Sequence, residues 1–413
     1  MAAVTISSGD TAWLLTSTAL VMLMTPAVGF FYGGLVRKKN VLATIMHSFF
    51  ILCLISIQWV LWGYSFAFGP DAFYGLIGNF SWIGLNNVSS FTANPDYAPT
   101  VPHMAFMAFQ MMFAVITPAL ITGAFAERKK FKAFVLFSIL WATIVYDPVA
   151  HWVWSTGGWL HKLGALDFAG GTVVHITSGA SALVVAMLIG KRIGFGKEKM
   201  EAHDITLAIL GAVLLWFGWF GFNAGSALAS GQLATIAFVT TNTAAAMGAL
   251  TWMTMDWLVH KRPTVMGIVA GSVAGLVAIT PASGFVTVPA AILIGFLAGL
   301  LCFVAVKLKV KTGVDDALDV FAVHGIGGTI GALATGLFAT VAVNSVGSNG
   351  LFYGNPHQLW VQFIAVAAVW IYSCAATFVI FKFVDFVIGT RVPEKAEMLG
   401  LDESQHGEAA YQL

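Results

Sequence analysis

Long apolar stretches alternate with short polar segments along the whole chain. A helix that crosses a bilayer core about 30 Å thick needs roughly 20 apolar residues, because each residue adds about 1.5 Å. Eleven stretches meet this requirement and predict membrane-spanning helices over residues 11–34, 41–67, 102–125, 132–152, 169–190, 205–225, 233–258, 264–283, 286–308, 317–340 and 358–388. The pattern therefore predicts an all-α integral membrane protein, with a membrane domain over residues 1–389 and a charged tail over residues 390–413.

The lysine and arginine residues predict the direction of each span. The chain has 20 of them, and all except Lys162 fall on the side of the membrane that is reached after an odd-numbered stretch. Basic residues concentrate in cytoplasmic loops, so we expect an outer N-terminus, eleven crossings and a cytoplasmic tail. Residues 1–12 contain no lysine or arginine, so the first stretch predicts a transmembrane helix rather than a cleaved signal peptide.

Composition supports the membrane interpretation and excludes several functions. Apolar residues make up 58% of the chain and charged residues only 9%, whereas soluble proteins carry about 25% charged residues. A net charge of +1 gives no indication of a nucleic-acid partner. The three cysteines lie inside apolar stretches without metal-ligand spacing. No nucleophile–base pair or metal cluster indicates an enzyme, a metal site or a cofactor.

A weak internal repeat relates the two halves of the chain. Asp167 precedes His175 in the fifth stretch, and Asp319 precedes His324 in the tenth. Because five is an odd number, the second group of five helices would run through the membrane in the opposite direction to the first. Such five-plus-five inverted repeats, here with one additional helix, hold their substrate near the midplane between the two halves.

The two histidines are predicted to lie close together. His175 is about six residues into a helix that starts outside, and His324 about seven residues into one that starts inside. Each then lies roughly 10 Å from its own surface, so both approach the centre of a core about 30 Å thick. Polar side chains at that depth are costly and usually functional. The alternative is that each histidine is bonded separately to a helix carbonyl.

A few aromatic residues lie near the outer ends of predicted helices. Trp154 lies beside the outer end of the fourth stretch and Phe222 near that of the sixth, where Ser226 follows it by one helical turn; Phe113 lies in the third stretch. Aromatic faces and a hydroxyl group at an outer mouth would suit a small cation through cation–π contacts. The alternative for each ring is ordinary packing or lipid contact, because membrane proteins carry many aromatic residues.

Three aspartates lie near helix ends. Asp167 is placed to cap the fifth helix through its backbone N–H groups, or to set the field felt by a cation above the pore. We interpret Asp319 as its counterpart on the cytoplasmic side. Asp147 lies near the outer end of the fourth stretch, where it is expected to face water or to raise the local cation concentration.

The order and spacing of these motifs resemble the ammonium transporters of the Amt/Mep/Rh group, and in particular their prokaryotic Amt branch. The resemblance covers the whole chain in order. It rests on residues 167–175 with 178–179 and 190–192, on residues 219–226 and 319–325, on residues 31–35 and 126–128, and on residues 391–393, 400–402 and 406–408 of the tail. Asp147 departs from the pattern, because relatives often have an apolar residue there.

The resemblance implies a homotrimer with one pore through each subunit. It further implies that NH4+ is recruited outside, loses a proton and crosses as NH3, with the proton following. The implied site has three parts, namely a recruitment site of Phe113, Trp154 and Ser226 supported by Asp167, a gate of Phe113 and Phe222, and a twin-histidine pair of His175 and His324.

The resemblance also implies a location and partners. We expect a multi-pass protein of the cell (plasma) membrane that takes up ammonium and ammonia, with methylammonium as a candidate analogue. A P-II family signalling protein is the expected regulatory partner at the cytoplasmic face, where the tail would pack and couple the subunits.

Three other functions remain open at this point. A related Rh-type channel for gas or methylamine is less compatible with the cluster of Phe113, Trp154 and Ser226. An ammonium sensor with incidental transport is the principal alternative. A membrane redox protein would use His175 and His324 as haem ligands.

Overall fold

The computed structural model describes residues 5–411, and within them the chain folds into helices joined by loops, without a β-strand. The membrane domain contains α1 (Ser8–Leu35), α2 (Lys38–Phe68), α3 (His103–Phe125), α4 (Phe131–Leu163), α5 (Gly171–Ile189), α6 (Ile205–Gly225), α7 (Gln232–His260), α8 (Val265–Ile279), α9 (Val288–Thr312), α10 (Phe321–Phe338) and α11 (Pro356–Ile388). A short helix, α12 (Glu394–Leu399), lies in the tail.

Each helix of the membrane domain coincides with one of the predicted stretches. In the described part of the chain, 10 helices are long and apolar enough to cross a bilayer. Helix α8 has 15 residues and is shorter than the eighth predicted stretch, because the chain turns at Thr280. The all-α prediction is thus confirmed for residues 5–411.

Local sequence signals explain where several helices begin. The Ser7 hydroxyl accepts a hydrogen bond from the Asp10 backbone N–H at 3.2 Å before α1. Before α6, the Asp204 carboxylate accepts a hydrogen bond from the Leu207 backbone N–H at 3.0 Å. Such caps satisfy N–H groups that have no partner inside the helix.

The outer surface of the domain is strongly apolar. Along one side of α11, Ile371, Val379 and Phe386 are exposed by 71%, 65% and 90%. Spacings of eight and seven residues place these side chains on one face of a helix. A face of this kind would be unfavourable in water and is compatible with lipid contact.

Irregular turns interrupt four of the helices. Helix α2 contains a π-helical turn at Trp59–Gly63, and α4 contains one at Ala142–Tyr146. Helices α5 and α10 each begin with a π-helical turn, at Gly171–Ile176 and Phe321–Ile326. Such turns are rare and often occur at functional sites. The last two carry His175, as the fifth residue of its turn, and His324, as the fourth residue of its own.

Helices α5 and α10 cross at unusually short range. A Cβ atom built on Gly179 would clash with the backbone nitrogen of Gly325. Close approach of this kind requires small residues and is common between membrane helices. Because Gly325 directly follows His324, this crossing sets the distance between the two histidine-bearing turns.

Charged residues from several loops meet on one face of the domain, which we call the basic face. The Glu127 carboxylate accepts hydrogen bonds from the backbone and side chain of Arg37 at 2.7 and 2.8 Å, and lies 3.5 Å from Arg192. Arg192 also pairs with Asp315 at 2.8 Å. These residues follow α1, α3, α5 and α9, so loops after odd-numbered helices share one face.

Electrostatics at the basic face favour the ionised carboxylates. Burial alone would raise the pKa of Glu127, but the Arg37 hydrogen bonds and the charges of Arg192 and Arg37 hold that pKa below its ordinary value. The pKa of Asp315 is lowered in the same way, because bonds from Arg192 and the charge of Arg128 outweigh burial. The network therefore consists of ions at neutral pH.

The tail docks on the basic face through specific contacts. Beyond α12, the Asp402 carboxylate accepts hydrogen bonds from the backbone N–H groups that begin α2, including that of Ala43 at 2.8 Å. The Gln405 side chain accepts one from the Phe131 backbone at 2.8 Å. The tail is thus attached to the starts of α2 and α4.

Asp147 does not face the outer aqueous layer, so that interpretation is wrong. Its side chain is fully buried between α4 and α2 and accepts a hydrogen bond from Gln58 Nε2 at 2.8 Å. The neighbouring Trp62 indole donates to Thr143 Oγ1 at 3.0 Å. These polar contacts connect the two π-helical turns of α2 and α4.

Candidate functional site

Three cavities follow one another through the described part of the membrane domain. An outer cavity of about 190 Å³ lies opposite the basic face. A narrow cavity of about 10 Å³ lies between the helices. An inner vestibule of about 230 Å³ is lined by residues of the loops that reach the basic face. The narrow cavity has room for about one water-sized molecule.

Predicted residues line the outer cavity. Phe113, Trp154 and Ser226 all contribute to its wall. The rings of Phe113 and Trp154 are perpendicular, with centroids 5.8 Å apart. The Trp154 indole is fixed because its N–H donates to the Asp167 carbonyl at 2.9 Å. The Ser226 hydroxyl donates to the Phe222 carbonyl at 2.8 Å, which leaves its lone pairs available as acceptors.

Two closely packed phenylalanines separate the outer cavity from the narrow one. The centroids of Phe113 and Phe222 lie 4.3 Å apart at an interplanar angle of 38°. Phe113 faces the outer cavity and Phe222 the narrow cavity. Both rings are almost completely buried. In this arrangement the rings block the passage, and a solute can pass only if they rotate.

His175 and His324 form a direct pair in the narrow cavity. Their Nδ1 atoms lie 3.1 Å apart, and the ring centroids are separated by 5.2 Å. One Nδ1–H therefore donates to the other Nδ1, so the two rings have different tautomers. One Nε2 then carries a proton and the other a lone pair. The pair presents one donor and one acceptor to a small molecule in the cavity.

The rest of the narrow cavity is mainly apolar. His175 stacks at 5.5 Å on Trp219, whose indole is held by Thr280 Oγ1 at 2.9 Å. The Tyr32 hydroxyl already donates to the Leu120 carbonyl at 3.1 Å. The remaining wall consists of Met24, Val28, Phe31, Ile116, Leu120, Val174, Leu215, Phe222 and Val273. An ion without its water would have few partners here.

Aspartates fix both histidine-bearing turns. The Asp167 carboxylate accepts four backbone hydrogen bonds, from Gly170, Gly171, Thr172 and Val173 at 2.7–3.1 Å. These bonds hold the first turn of α5, to which His175 belongs. The carboxylate itself is not part of the outer-cavity wall. Asp167 is therefore placed to position the site rather than to touch a cation in that cavity.

The counterpart of Asp167 at the start of α10 is Asp316, and the interpretation of Asp319 as that counterpart is wrong. The Asp316 carboxylate accepts a hydrogen bond from the Phe321 backbone at 2.8 Å, at the start of α10. Asp319 is instead paired with Lys309 at 2.6 Å. The equal spacing of eight residues from Asp167 to His175 and from Asp316 to His324 is the signal that identifies Asp316.

Two residues of the narrow-cavity wall, Trp219 and Tyr32, were not predicted from the sequence as site residues. Nothing in the sequence distinguishes Trp219 and Tyr32 from the many other aromatic residues, although Trp219 belongs to the motif over residues 219–226. In residues 5–411, no group of three or more His, Cys, Asp or Glu side chains is arranged to hold a metal ion.

Comparison with known proteins decides the family. The profile of the Ammonium Transporter Family matches residues 12–411. The ammonium transporter of Bacillus subtilis is 53% identical over 405 residues, which cover 98% of each chain. The ammonium transporter Amt1 of Archaeoglobus fulgidus is 50% identical over 98% of this chain and 100% of its own. The chain belongs to the ammonium transporter family.

Solved structures of ammonium transporter relatives share the fold. The crystal structure of Candida albicans Mep2 superposes with a TM-score of 0.90 at 38% identity, covering 98% of this chain and 90% of Mep2. A structure described as a sensor Amt protein superposes with a TM-score of 0.88 at 30% identity, covering 96% and 98% of the two chains. The resemblance inferred from the motifs is thus confirmed, and the chain is a multi-pass membrane protein of this family.

Proposed function

We propose that the protein takes up ammonium by binding NH4+ in the outer cavity, removing a proton and passing NH3 through the narrow cavity into the inner vestibule. The observation that carries this proposal is the histidine pair, joined at 3.1 Å inside an apolar cavity of about 10 Å³ between two larger cavities. Such a passage suits one small neutral molecule that can both donate and accept hydrogen bonds.

The proposed selectivity follows from the cost of moving an ion out of water. An unpaired charge in an apolar environment is far more costly than a neutral polar molecule. Ammonium can avoid this cost by releasing a proton, whereas a potassium ion cannot. Deprotonation therefore gives selectivity without a cage built to a particular ionic radius.

Recruitment is assigned to the outer cavity. The rings of Phe113 and Trp154 offer their faces, and Ser226 offers a hydroxyl oxygen. Each cation–π contact stabilises a cation by about 0.5–2 kcal/mol, depending on exposure. Asp167 supports this site through the Trp154 indole, which donates to its carbonyl. Rotation of the Phe113 and Phe222 rings would then admit the substrate.

The proton is proposed to follow the substrate through His175 and His324. Imidazole is the side chain best suited to proton relay near neutral pH. Its hydrogen-bonded pair can accept a proton on one ring and release it from the other when both tautomers change. Transport would then move one positive charge for each NH3.

Orientation and assembly complete the proposal. We assign the basic face to the cytoplasm on the basis of the positive-inside rule, with eleven crossings, an outer N-terminus and α8 as the eighth. The protein would act in the cell membrane as a homotrimer with one pore in each subunit. The basic face, on which the tail docks, is the proposed site for a P-II signalling protein.

Currents on a solid-supported membrane test the proposal. Proteoliposomes containing the protein are exposed to an ammonium step, with an equal potassium step as control. A transient current with ammonium and none with potassium is expected. Equal currents for the two ions would contradict deprotonation. No current with either ion, together with a change in the fluorescence of an internal pH indicator, would indicate electroneutral NH3 conduction.

A sensor role is the second candidate, because a structural relative is described as a sensor Amt protein. The same vesicles distinguish the two roles. A sensor would bind ammonium, seen as a rise in melting temperature, while neither current nor internal pH responds.

A further inference from the structure

A lysine side chain contacts two carboxylates and a backbone carbonyl beside the inner vestibule. Lys309 lies near the end of α9, and its Nζ atom is 2.6 Å from Asp319 Oδ1 and 4.0 Å from Asp316 Oδ2. The same ammonium group donates a short hydrogen bond to the Asp316 carbonyl. Asp319 lines the vestibule together with His324. The lysine ammonium therefore lies beside the route that leads away from the histidine pair.

The single positive charge of Lys309 does not fully neutralise the carboxylates of Asp316 and Asp319. Asp316 is only 1% exposed, and its Oδ1 atom has no hydrogen-bond partner among the described residues. Its Oδ2 atom holds the Phe321 N–H. Two carboxylates thus face one lysine, which is itself only 9% exposed. Burial raises the pKa of Asp316 while the charge of Lys309 opposes that change.

We infer that Lys309 fills a cation site that would otherwise bind an ammonium ion at the pore exit. This inference rests on the proposed function. The lysine head group and NH4+ carry the same charge and donate N–H bonds to the same acceptors. NH3 that leaves His324 takes up a proton in the vestibule, and the resulting NH4+ meets Asp319 first. Because the Lys309 ammonium group is attached to the chain, its effective concentration at the site is high, and it keeps the site occupied in competition with NH4+.

The consequence is that the product is released rather than retained. Without Lys309, the Asp319 carboxylate and the Asp316 carbonyl would hold NH4+ beside the vestibule, with the Asp316 carboxylate 4.0 Å away, and ammonium inside the cell would occupy the exit. With Lys309 in place, the vestibule carries less negative charge. The lysine thus reduces inhibition of uptake by ammonium on the cytoplasmic side.

Uptake into proteoliposomes preloaded with ammonium tests the inference. The measured quantity is the internal ammonium concentration that halves the initial rate, for vesicles whose orientation is determined by protease cleavage of the tail. In Lys309→Met, which keeps the length of the side chain, we expect this concentration to fall about fivefold, the effect of one partly exposed charge contact. Lys309→Arg should leave it unchanged.

Two further variants isolate the charge. In Lys309→Met combined with Asp319→Asn, the half-inhibitory concentration should return toward the wild-type value. Lys311→Met is the matched control, because Lys311 is exposed and lies outside this group. If Lys309→Met fails to fold, Lys309→Gln can still donate to the Asp316 carbonyl and replaces it in the same assay.

The outcomes separate this inference from the proposed function. A uniform loss of rate in Lys309→Met at every internal ammonium concentration would overturn the inference, because the lysine would then only hold Asp316 and α10 in place. An unchanged half-inhibitory concentration would overturn it as well. Absence of flux in the wild-type protein would instead contradict the proposed function. As a readout independent of transport, ammonium chloride should raise the melting temperature of Lys309→Met more than that of the wild type, with potassium chloride as control.

Discussion

The Nδ1 atoms of His175 and His324 lie 3.1 Å apart, although 149 residues separate them in the chain. A hydrogen bond between two identical nitrogens requires the rings to have opposite tautomers. The pair can therefore exist in two arrangements that differ in the positions of the protons. Exchange between them is the step by which a proton could cross the narrow cavity.

Replacement of His324 by asparagine should separate charge movement from folding. An amide side chain keeps a donor and an acceptor but does not accept a proton near neutral pH. We expect the ammonium-evoked current to fall at least tenfold at pH 7, while the melting temperature changes little. Asn substitution at the exposed His357, away from the cavity, serves as control. An undiminished current would contradict a proton path through the pair.

Phe113→Leu should weaken recruitment without abolishing transport. Loss of one cation–π contact of about 0.5–1 kcal/mol raises the half-saturating ammonium concentration about two- to fivefold. Phe109→Leu is the matched control, because Phe109 packs 4.9 Å from Phe113 on α3 but does not line the outer cavity. Concentration dependence of the initial current is the measurement. An equal effect of the two variants would indicate packing rather than cation binding.

Gly179→Ala should disrupt the site through the backbone. The new methyl group would clash with Gly325 at the crossing of α5 and α10 and so separate the histidine-bearing turns. Overpacking of this kind costs about 1–3 kcal/mol. We expect loss of current and a lower melting temperature. Gly9→Ala should be neutral, because the nearest atom to its added Cβ is 3.5 Å away. Normal current in Gly179→Ala would show that the crossing tolerates a wider separation.

Glu127→Gln should destabilise the basic face in a pH-dependent way. Removal of the buried charge leaves Arg37 without its counter-charge, whereas Arg192 keeps Asp315, at a cost of about 3 kcal/mol. The folded-state pKa of Glu127 lies below its ordinary value of 4.5, so its contribution is fully present above about pH 4.5 and is lost as the pH falls through the lower, folded-state value. Melting temperatures of wild type and variant should therefore differ at pH 7 and converge in acid. A constant difference would argue against an ionised Glu127.

Asp147→Asn should leave the apparent affinity for ammonium unchanged, even at low salt. The side chain is buried against Gln58 rather than exposed to the outer solution. It therefore cannot raise the cation concentration at the outer cavity. Concentration dependence of the current at low and high ionic strength is the measurement. A weaker affinity confined to low salt would contradict this prediction.

The fold could be predicted further than the details of the site. Span positions follow from local composition, since a bilayer requires continuous apolar stretches, and the similar depths of His175 and His324 together with the repeat predict that they approach each other. The burial of Asp147 could not be foreseen, because Gln58 lies 89 residues away in the chain. Asp319 lies inside the tenth predicted stretch and Asp316 just ahead of it, whereas the cap depends on how the chain enters α10. Trp219 gave no signal of its own among 14 tryptophans.

Because of the π-helical turns at Gly171–Ile176 and Phe321–Ile326, the placement of the two histidines depends on the number of residues in each turn. Each turn accommodates one residue more than an α-helical turn would. Deletion of a single residue ahead of either histidine would let the turn relax to an α-helix and swing the imidazole by about 100° around the helix axis. Substitutions in the apolar wall change only its shape, but a one-residue deletion would remove the ring from the passage. Among members of this family, the lengths of these two segments should therefore vary less than the identities of the residues around them.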